Sequence, residues 1–326
     1  MQRVLLIGYG FMGKTHSKVY STLPGAEVVG VVDPRGEGIR DSLRAEALGD
    51  VAVFEDFAAA VESVNFSVAD ICLPTDLHRD VALQSFAAGK HVFCEKPIAL
   101  TRADAVAMTS SGRVMGKQFM VGHCIRFWPE YVELKRLVDS GERGALQSLS
   151  LTRRTGRPSY SVGDWVNDPG RCLGAALDLH IHDVDFLLHL LGGPQAVVSQ
   201  GVCDASGWSS LSTQYIYDAC CVTAEGSWNY PTNWGFQMSF SAVFEQAALD
   251  FDSRQGLTLT PSDGAPRALK VAPEDGYHNE LAYFIGCLES GVPVEVSTGE
   301  QATASLELVL SEIESAGSGK RITISN

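Results

Sequence analysis

The sequence predicts an α/β part built on a parallel sheet, followed by a part dominated by antiparallel strands. Through residues 1–122, short apolar runs alternate with stretches of helical periodicity. This alternation indicates parallel strands joined by right-handed helical crossovers. From residue 146 onward, apolar and polar residues alternate instead, as in antiparallel strands with one solvated or partner-covered face. A chain of 326 residues is long enough for about two domains.

The individual elements follow from these periodicities. In the first half, strands are predicted near residues 2–7, 26–32, 68–73, 90–94 and 117–122. Helices are predicted near residues 11–22, 37–48, 56–63, 76–88, 101–115 and 127–139. In the second half, a helix over 174–191 interrupts strands predicted at 146–155, 196–203, 214–224, 226–230, 235–242 and 246–251. Because ligands of a parallel sheet bind at the carboxyl ends of its strands, functional residues are expected directly after each strand of the first half.

A glycine-rich turn at residues 8–13 joins the first predicted strand to the first predicted helix. In a dinucleotide-binding turn, Gly8 permits the tight bend and Gly10 lets a pyrophosphate approach the backbone. Gly13 lets the helix pack closely on the strand. The N-terminus of that helix then offers free N–H groups to the phosphates.

The same turn also matches the P-loop pattern of nucleoside triphosphate-binding proteins, because Lys14 and Thr15 follow the last glycine. Asp33 favours a dinucleotide, since it ends the next strand, where a carboxylate would bind the ribose. The Gly8-x-Gly10 pair is required by the dinucleotide motif and incidental in the P-loop. On these residues alone, both interpretations stay open.

Composition excludes several classes of partner. The net charge of −14, from 25 basic and 39 acidic residues, argues against nucleic acid or an anionic membrane, since both bind clusters of Lys and Arg. No apolar stretch approaches the roughly 20 residues that a membrane-spanning helix needs, and no signal peptide is recognisable. The 8 cysteines show no C-x-x-C spacing. We therefore expect reduced thiols and a cytoplasmic protein.

Two places carry residues suited to catalysis. Lys96 follows the strand near 90–94 beside a proline that fixes the chain, a position suited to a cleft, although a solvated surface lysine would give the same pattern. In the helix 174–191, Asp178 and His182 lie four residues apart and are expected on one face. A carboxylate one turn away can orient an imidazole and raise its pKa toward that of a general base. An ordinary surface ion pair is the alternative.

A metal site formed by His180, His182 and Asp183 is not expected. It would need both imidazoles on one side of the chain, as in a strand, whereas the helical period of this segment makes His180 point elsewhere. Asp185 extends the face of His182 by one turn.

Together these motifs resemble the Gfo/Idh/MocA family of oxidoreductases, named after glucose–fructose oxidoreductase and inositol dehydrogenase. The resemblance rests on motifs in this order: Gly8-x-Gly10-x-x-Gly13-x-x-His16, Asp33, Pro74-Thr75-x-x-His78, Gly89-Lys90-His91-Val92-x-x-Glu95-Lys96-Pro97, Arg126-Phe127-x-Pro129 and Gly174-x-x-x-Asp178-x-x-x-His182-Asp183-x-Asp185. It implies a Rossmann domain over 1–123 and an α+β domain over 124–326 with a large open antiparallel sheet. A C-terminal helix near 299–316 would pack back on the first domain. The resemblance decides against the P-loop.

The resemblance also implies a function: NAD(P)-dependent transfer of hydride between nicotinamide and a secondary alcohol or ketone of a sugar, cyclitol or related polyol. His182 would be the general base, Asp178 would position it, and Lys96 would stabilise the oxyanion. The alternative is a sensor of the same fold that binds NAD(P) or a sugar without turnover. The open sheet would form a homodimer or homotetramer.

Binding residues are carried over by position. The expected cofactor contacts are Gly8, Gly10, Phe11, Met12, Gly13, Asp33, Arg35, Pro74, Thr75, His78, Glu95 and Lys96. NAD(H) is preferred because the carboxylate of Asp33 repels a 2′-phosphate, while Arg35 keeps NADP(H) possible. The expected substrate contacts are Arg126, Arg153, Trp165, His180 and Tyr277. Arg153 as a strand-surface charge and Trp165 as a core anchor are the alternatives. His180 stands where the family commonly has glycine.

Overall fold

The computed structural model describes residues 1–46, 48–159 and 161–324. These residues form two compact units. Unit 1 contains residues 1–124, 161–165 and 276–304, and unit 2 contains residues 125–159, 166–275 and 305–324. None of the described helices combines the length and the apolar character needed to cross a membrane.

The helices of both units, numbered in chain order, account for the predicted helical segments. They are α1 Phe11–Thr22, α2 Arg40–Ala45, α3 Phe57–Ser63, α4 His78–Ala87, α5 Arg102–Val114, α6 Pro129–Ser140, α7 Ile181–Leu191, α8 Gly276–Ser290 and α9 Gly299–Ser318. The helix predicted at 37–48 is a 3-10 turn at Gly36–Ile39 followed by the short α2, and Ala47 lies outside the described residues. The long α9 contributes its first residues to unit 1 and the rest to unit 2.

Unit 1 is organised around a parallel sheet of six strands. The strands are β1 Gln2–Ile7, β2 Ala26–Val32, β3 Ala52–Phe54, β4 Val68–Ile71, β5 His91–Glu95 and β6 Phe119–Gly122. Their order is β3-β2-β1-β4-β5-β6, with every neighbouring pair parallel. The predicted parallel sheet is therefore confirmed. The sequence prediction missed β3 because three residues at a sheet edge are too few to show a period.

Unit 2 contains a sheet of nine strands, ordered β14-β13-β12-β11-β7-β10-β9-β8-β15. The strands are β7 Leu146–Gly156, β8 Ala196–Asp204, β9 Gly207–Ile216, β10 Cys221–Tyr230, β11 Gln237–Phe244, β12 Ala247–Asp252, β13 Gly256–Pro261, β14 Arg267–Ala268 and β15 Ile322–Thr323. All neighbours are antiparallel except β7 and β10. The large, mainly antiparallel sheet is confirmed, whereas the predicted strand 214–224 is wrong, because the chain turns between β9 and β10 within it.

Candidate active site

The glycine-rich turn between β1 and α1 has the shape that its sequence predicts. Gly8 has a positive φ of 92°, and a Cβ there would lie 2.5 Å from the carbonyl oxygen of Cys72. A Cβ on Gly13 would lie 2.1 Å from the carbonyl oxygen of Gly8. Around Gly10, by contrast, no described atom lies within 4 Å of the position a Cβ would take. Backbone packing thus requires two of the glycines, and the third leaves the turn open to a ligand.

The first turn of α1 adds the features that a pyrophosphate needs. Gly10 is the N-cap residue and provides no side-chain cap to the helix, so the positive end of the helix dipole faces the turn, where an anion would bind. Phe11, at the first helical position, is 63% exposed. The open turn and its uncapped helix fit the dinucleotide cofactor that the sequence predicts.

The end of β2 carries a carboxylate and a guanidinium in direct contact. Asp33 is buried and accepts hydrogen bonds from the backbone N–H groups of Tyr9 and Arg35, each 3.0 Å long. Although burial opposes ionisation, the hydrogen bonds from Arg35 and Tyr9 hold the pKa of Asp33 below its ordinary value. Both predicted specificity residues therefore lie at the strand end, and Asp33 is ionised.

The turn after β5 presents Lys96. Between residues 92 and 99, Lys96 is the only residue that is not buried. Its neighbour Glu95 is 5% exposed and accepts the backbone N–H of Lys96 at 3.1 Å. The carboxylate of Glu95 thus supports the lysine turn from inside, and its contact with the cofactor stays a prediction.

A buried histidine holds the other oxygen of Glu95. His16 Nε2 lies 3.2 Å from Glu95 Oε1, and His16 Nδ1 lies 2.9 Å from Asp70 Oδ2. Burial lowers the pKa of an imidazole, but Asp70 and Cys72 raise the pKa of His16 well above its ordinary value. His16 is therefore a protonated imidazolium that bridges the carboxylates of Asp70 and Glu95. Sequence reasoning missed Asp70, which sits within the apolar strand β4, although a charge in such a strand signals a buried partner.

His78 supports the same turn from α4 and is fully buried. Its Nδ1 lies 2.9 Å from the carbonyl oxygen of Pro97, and its Nε2 lies 2.8 Å from that of Leu73. Burial lowers the pKa of this ring, so the neutral imidazole donates to one of the two carbonyl groups at a time. His78 thus ties together the chain segments that follow β4 and β5, and its contact with the cofactor stays a prediction. Thr75 is buried, in the 3-10 turn that Pro74 precedes.

The predicted helix over 174–191 is confirmed, but its first turn is π-helical and not α-helical. Residues Ala176–His180 form a π-turn, and the α-helix α7 begins only at Ile181. Asp178 lies in the π-turn, and His182 lies in the first turn of α7. Between residues 175 and 187 these two are the only residues that are not buried. The expected accessible face is therefore present, on a segment that is otherwise buried from residue 175 to residue 187.

Two buried ion pairs anchor this helix within unit 2. Arg153 on β7 donates to both oxygens of Asp183, at 3.1 and 2.8 Å. Arg126 donates to both oxygens of Asp185, each at 2.7 Å. The two arginine side chains are only 2% exposed, which corrects the expectation of a strand-surface charge at Arg153, whereas the substrate contacts of Arg126 and Arg153 stay predictions. Charges on an apolar helix were the signal that could have found these partners.

The remaining predicted substrate contacts divide into two groups. His180 is fully buried, with Nε2 2.7 Å from Glu312 Oε2 on α9; this burial disfavours a substrate contact or rival base, which stays a prediction. Trp165 and Tyr277 are half-buried and belong to unit 1. Both stay predictions.

The turn, the parallel sheet and the accessible histidine define the class as a nicotinamide-dependent oxidoreductase of the Rossmann type. Comparison with family profiles matches residues 2–123 to an oxidoreductase family with an NAD-binding Rossmann fold. Residues 131–248 match the Gfo/Idh/MocA C-terminal domain. The chain belongs to the Gfo/Idh/MocA family.

Several relatives align with nearly the whole chain. D-glucoside 3-dehydrogenase of Escherichia coli (strain K12) is 27% identical, covering 99% of this chain and 97% of that protein. Inositol 2-dehydrogenase of Rhizobium meliloti (strain 1021) is 27% identical, covering 98% of each. Among solved structures, levoglucosan dehydrogenase in complex with NADH and levoglucosan superposes with a TM-score of 0.89 at 19% identity over the full length of both chains. The structural likeness establishes the fold.

Proposed function

We propose that this protein is an NAD(H)-dependent dehydrogenase of a sugar, cyclitol or related polyol. The observation that carries the proposal is the pair Asp178 and His182, the only accessible residues between 175 and 187 on an otherwise buried helical segment. A buried helix that exposes one imidazole and one carboxylate provides a general base and the group that orients it. The substrate class follows the relatives, which include a D-glucoside and an inositol dehydrogenase.

The proposed roles follow the balance of the reaction. Oxidation of a secondary alcohol breaks the carbinol C–H and O–H bonds, and a carbonyl group forms. The bound nicotinamide supplies the hydride acceptor. His182 takes the hydroxyl proton at a ring nitrogen, and Asp178 orients the ring. The ammonium of Lys96 stabilises the negative charge that develops on the substrate oxygen.

Residues 1–123 are proposed to bind the dinucleotide. The turn at 8–13 and the start of α1 would hold the pyrophosphate, and Asp33 would accept the ribose hydroxyl groups. The ionised carboxylate of Asp33 supports a preference for NAD(H). Residues 124–326 are proposed to bind the substrate.

The test is a panel of myo-inositol, scyllo-inositol, D-glucosides and levoglucosan with NAD⁺ and NADP⁺, followed by the absorbance of the reduced cofactor. His182→Ala is expected to lower kcat by about a hundredfold or more, as for loss of a general base. His189→Gln, two turns further along α7, is the matched control and should keep kcat. Wild-type turnover that survives His182→Ala would refute the assignment.

The alternative is a sensor of the same fold that binds without turnover. NADH titrated into the protein separates the two functions, because a sensor retains tight binding and shows no turnover on any member of the panel. The catalytic set Lys96, Asp178 and His182 is complete in this chain, which favours the enzyme.

A homo-oligomer through the open face of the nine-stranded sheet is also proposed. One row of side chains in register across that face is uncharged and mostly exposed: Val198, Gln214, Thr223, Ser150 and Ser241. The row reaches a charge only at Asp250, which pairs with Ser241 from β12, and such a mostly uncharged, exposed row suits a second copy of the chain. Sedimentation should give a dimer or a tetramer, and Gln214→Arg within the row should dissociate it. A monomeric wild type would refute the interface.

The absence of disulfide bonds among the described cysteines bears on the cellular compartment. All 8 cysteines are free in the structure, which suits a reducing environment. We therefore propose the cytoplasm as the location, to be checked by cell fractionation.

A further inference from the structure

The π-turn, a single π-helical turn in unit 2, determines the relative positions of the accessible residues Asp178 and His182. It spans Ala176–His180, so it contains Asp178, while His182 follows in the α-helical part. A π-helical turn accommodates one residue more than an α-helical turn, is rare, and frequently occurs at functional sites. The position of Asp178 relative to His182 therefore depends on whether the π-turn is kept.

The last residue of the π-turn carries a buried long-range contact. His180 Nε2 lies 2.7 Å from Glu312 Oε2, and both side chains are 0% exposed. Glu312 comes from α9, 132 residues later in the chain. Within this helical segment, His180 lies on the buried side, and Asp178 and His182 lie on the accessible side.

The strands β9 and β10 pack against the pair His180 and Glu312. A Cβ on Gly226 of β10 would lie 2.6 Å from the Cβ of His180, so the π-turn rests directly on the backbone of the sheet. Thr213 Oγ1 on β9 donates to Glu312 Oε2 at 3.2 Å. The Tyr215 hydroxyl lies 3.4 Å from His180 Nε2. Contacts from β9, β10 and α9 thus converge on one side chain of the π-turn.

Removing one partner of such a pair leaves the other polar group buried without water or a hydrogen-bond partner, which costs free energy. The remaining group can regain a partner only if the π-turn moves. Movement of the π-turn displaces Asp178 from the ring it orients. Misplacement of a catalytic group by about 1 Å costs on the order of a hundredfold in rate. The pair therefore has consequences for catalysis although neither side chain is accessible to substrate.

We propose that His180 and Glu312 are positioning residues: their contact keeps the π-turn in place and thereby holds Asp178 against the ring of His182. The inference rests on the proposed function of the accessible pair. It assigns a role to Glu312 and to the histidine at position 180, and neither residue touches the substrate.

The test compares Glu312→Gln with Ser315→Ala. The Gln variant keeps the size of the side chain and removes its charge. Ser315 lies one turn further on α9, is buried, and contacts β8 through the N–H of Ser199, so it probes the same interface without touching the π-turn. Glu312→Gln is expected to lower kcat about tenfold or more, and to shift the acid limb of its pH profile, with the KM for NAD⁺ unchanged within about twofold.

Ser315→Ala is expected to keep kcat and the pH profile of wild type, even where it lowers the melting temperature as much as Glu312→Gln does. A Glu312→Gln enzyme with wild-type kcat and pH profile would overturn the inference. Equal losses of kcat in both variants would also overturn it, because the effect would then follow general stability.

A second readout separates this inference from the proposed function. The NMR titration of the His182 ring, assigned by its absence in His182→Ala, should move in Glu312→Gln and stay in place in Ser315→Ala. If no substrate is turned over but the titration moves, the positioning role stands and the dehydrogenase assignment falls. If turnover depends on His182 and neither readout responds to Glu312→Gln, the dehydrogenase stands and the positioning role falls.

Discussion

Arg35 donates two hydrogen bonds, each 2.7 Å long, to the carboxylate of Asp33 at the end of β2. The contact is reciprocal, because Asp33 raises the pKa of Arg35 while Arg35 lowers that of Asp33 in spite of burial. The guanidinium is the exposed partner, at 40%, and the carboxylate is buried, at 6%. A carboxylate and a cation are thus held at one place, and we propose that they bind ribose hydroxyl groups and a 2′-phosphate, respectively.

This pair should determine cofactor preference. In Asp33→Ala the repulsive charge is removed and Arg35 is released, so kcat/KM with NADP⁺ divided by that with NAD⁺ should rise by about tenfold or more. The measurement is steady-state kinetics with both cofactors. Arg35→Ala is the control and should lower use of NADP⁺ while NAD⁺ is retained. An unchanged ratio in Asp33→Ala would contradict the role of the pair.

The buried pair of Arg153 and Asp183 should act on stability. Arg153→Met leaves the carboxylate of Asp183 buried without its partner, so the free energy of unfolding should fall by about 3–5 kcal/mol. Urea denaturation measures the loss. The double variant Arg153→Met/Asp183→Leu should recover much of it, because no charge is then left unpaired. If Arg153→Met instead left the stability unchanged and raised the KM for substrate, the result would support a substrate contact at Arg153.

Gly226 should tolerate no side chain while His180 is present. Gly226→Ala places a methyl group 2.6 Å from the Cβ of His180, and such overpacking costs about 1–3 kcal/mol of stability. The penalty should be smaller when His180→Gly is also present. Gly286→Ala in α8 is the control, since no described atom lies within 4 Å of its new Cβ. If Gly226→Ala cost the same stability with His180 and with His180→Gly, the steric conflict would not involve His180.

His189 should make stability depend on pH below neutrality. Burial, with Arg126 and Lys135, lowers the pKa of His189 to about 4, although Asp185 and Asp139 act in the opposite direction. In the unfolded chain the pKa is about 6.5, so the unfolded state binds more protons between these values. The contribution of His189 is therefore complete above about pH 6.5 and is lost as the pH falls toward 4.

His189→Gln removes that contribution. Between about pH 7 and about pH 5, wild type should lose more free energy of unfolding than the variant does, as measured by urea denaturation. The carboxyl groups titrate in both proteins and cancel in the comparison. Parallel losses in the two proteins would show that His189 titrates normally in the folded state.

The sequence by itself determined the features that local geometry encodes. The alternation of strands and helices predicted the parallel sheet, and the spacing of glycines predicted the turn at residues 8–13. The four-residue spacing of Asp178 and His182 predicted that they share a face. Each of these patterns lies within a few consecutive residues, because the period of a helix or strand is a property of the local backbone.

Only the tertiary structure decided what each buried charge does. Arg126 meets Asp185 across 59 residues, Arg153 meets Asp183 across 30, and His180 meets Glu312 across 132. A histidine or arginine has the same local pattern whether it faces a ligand or a buried carboxylate. Which of the two it meets depends on how distant elements pack, and the π-turn is likewise maintained by contacts from β9, β10 and α9. Tertiary packing therefore decided which buried partners these residues have, and the sequence had predicted only that they contact substrate.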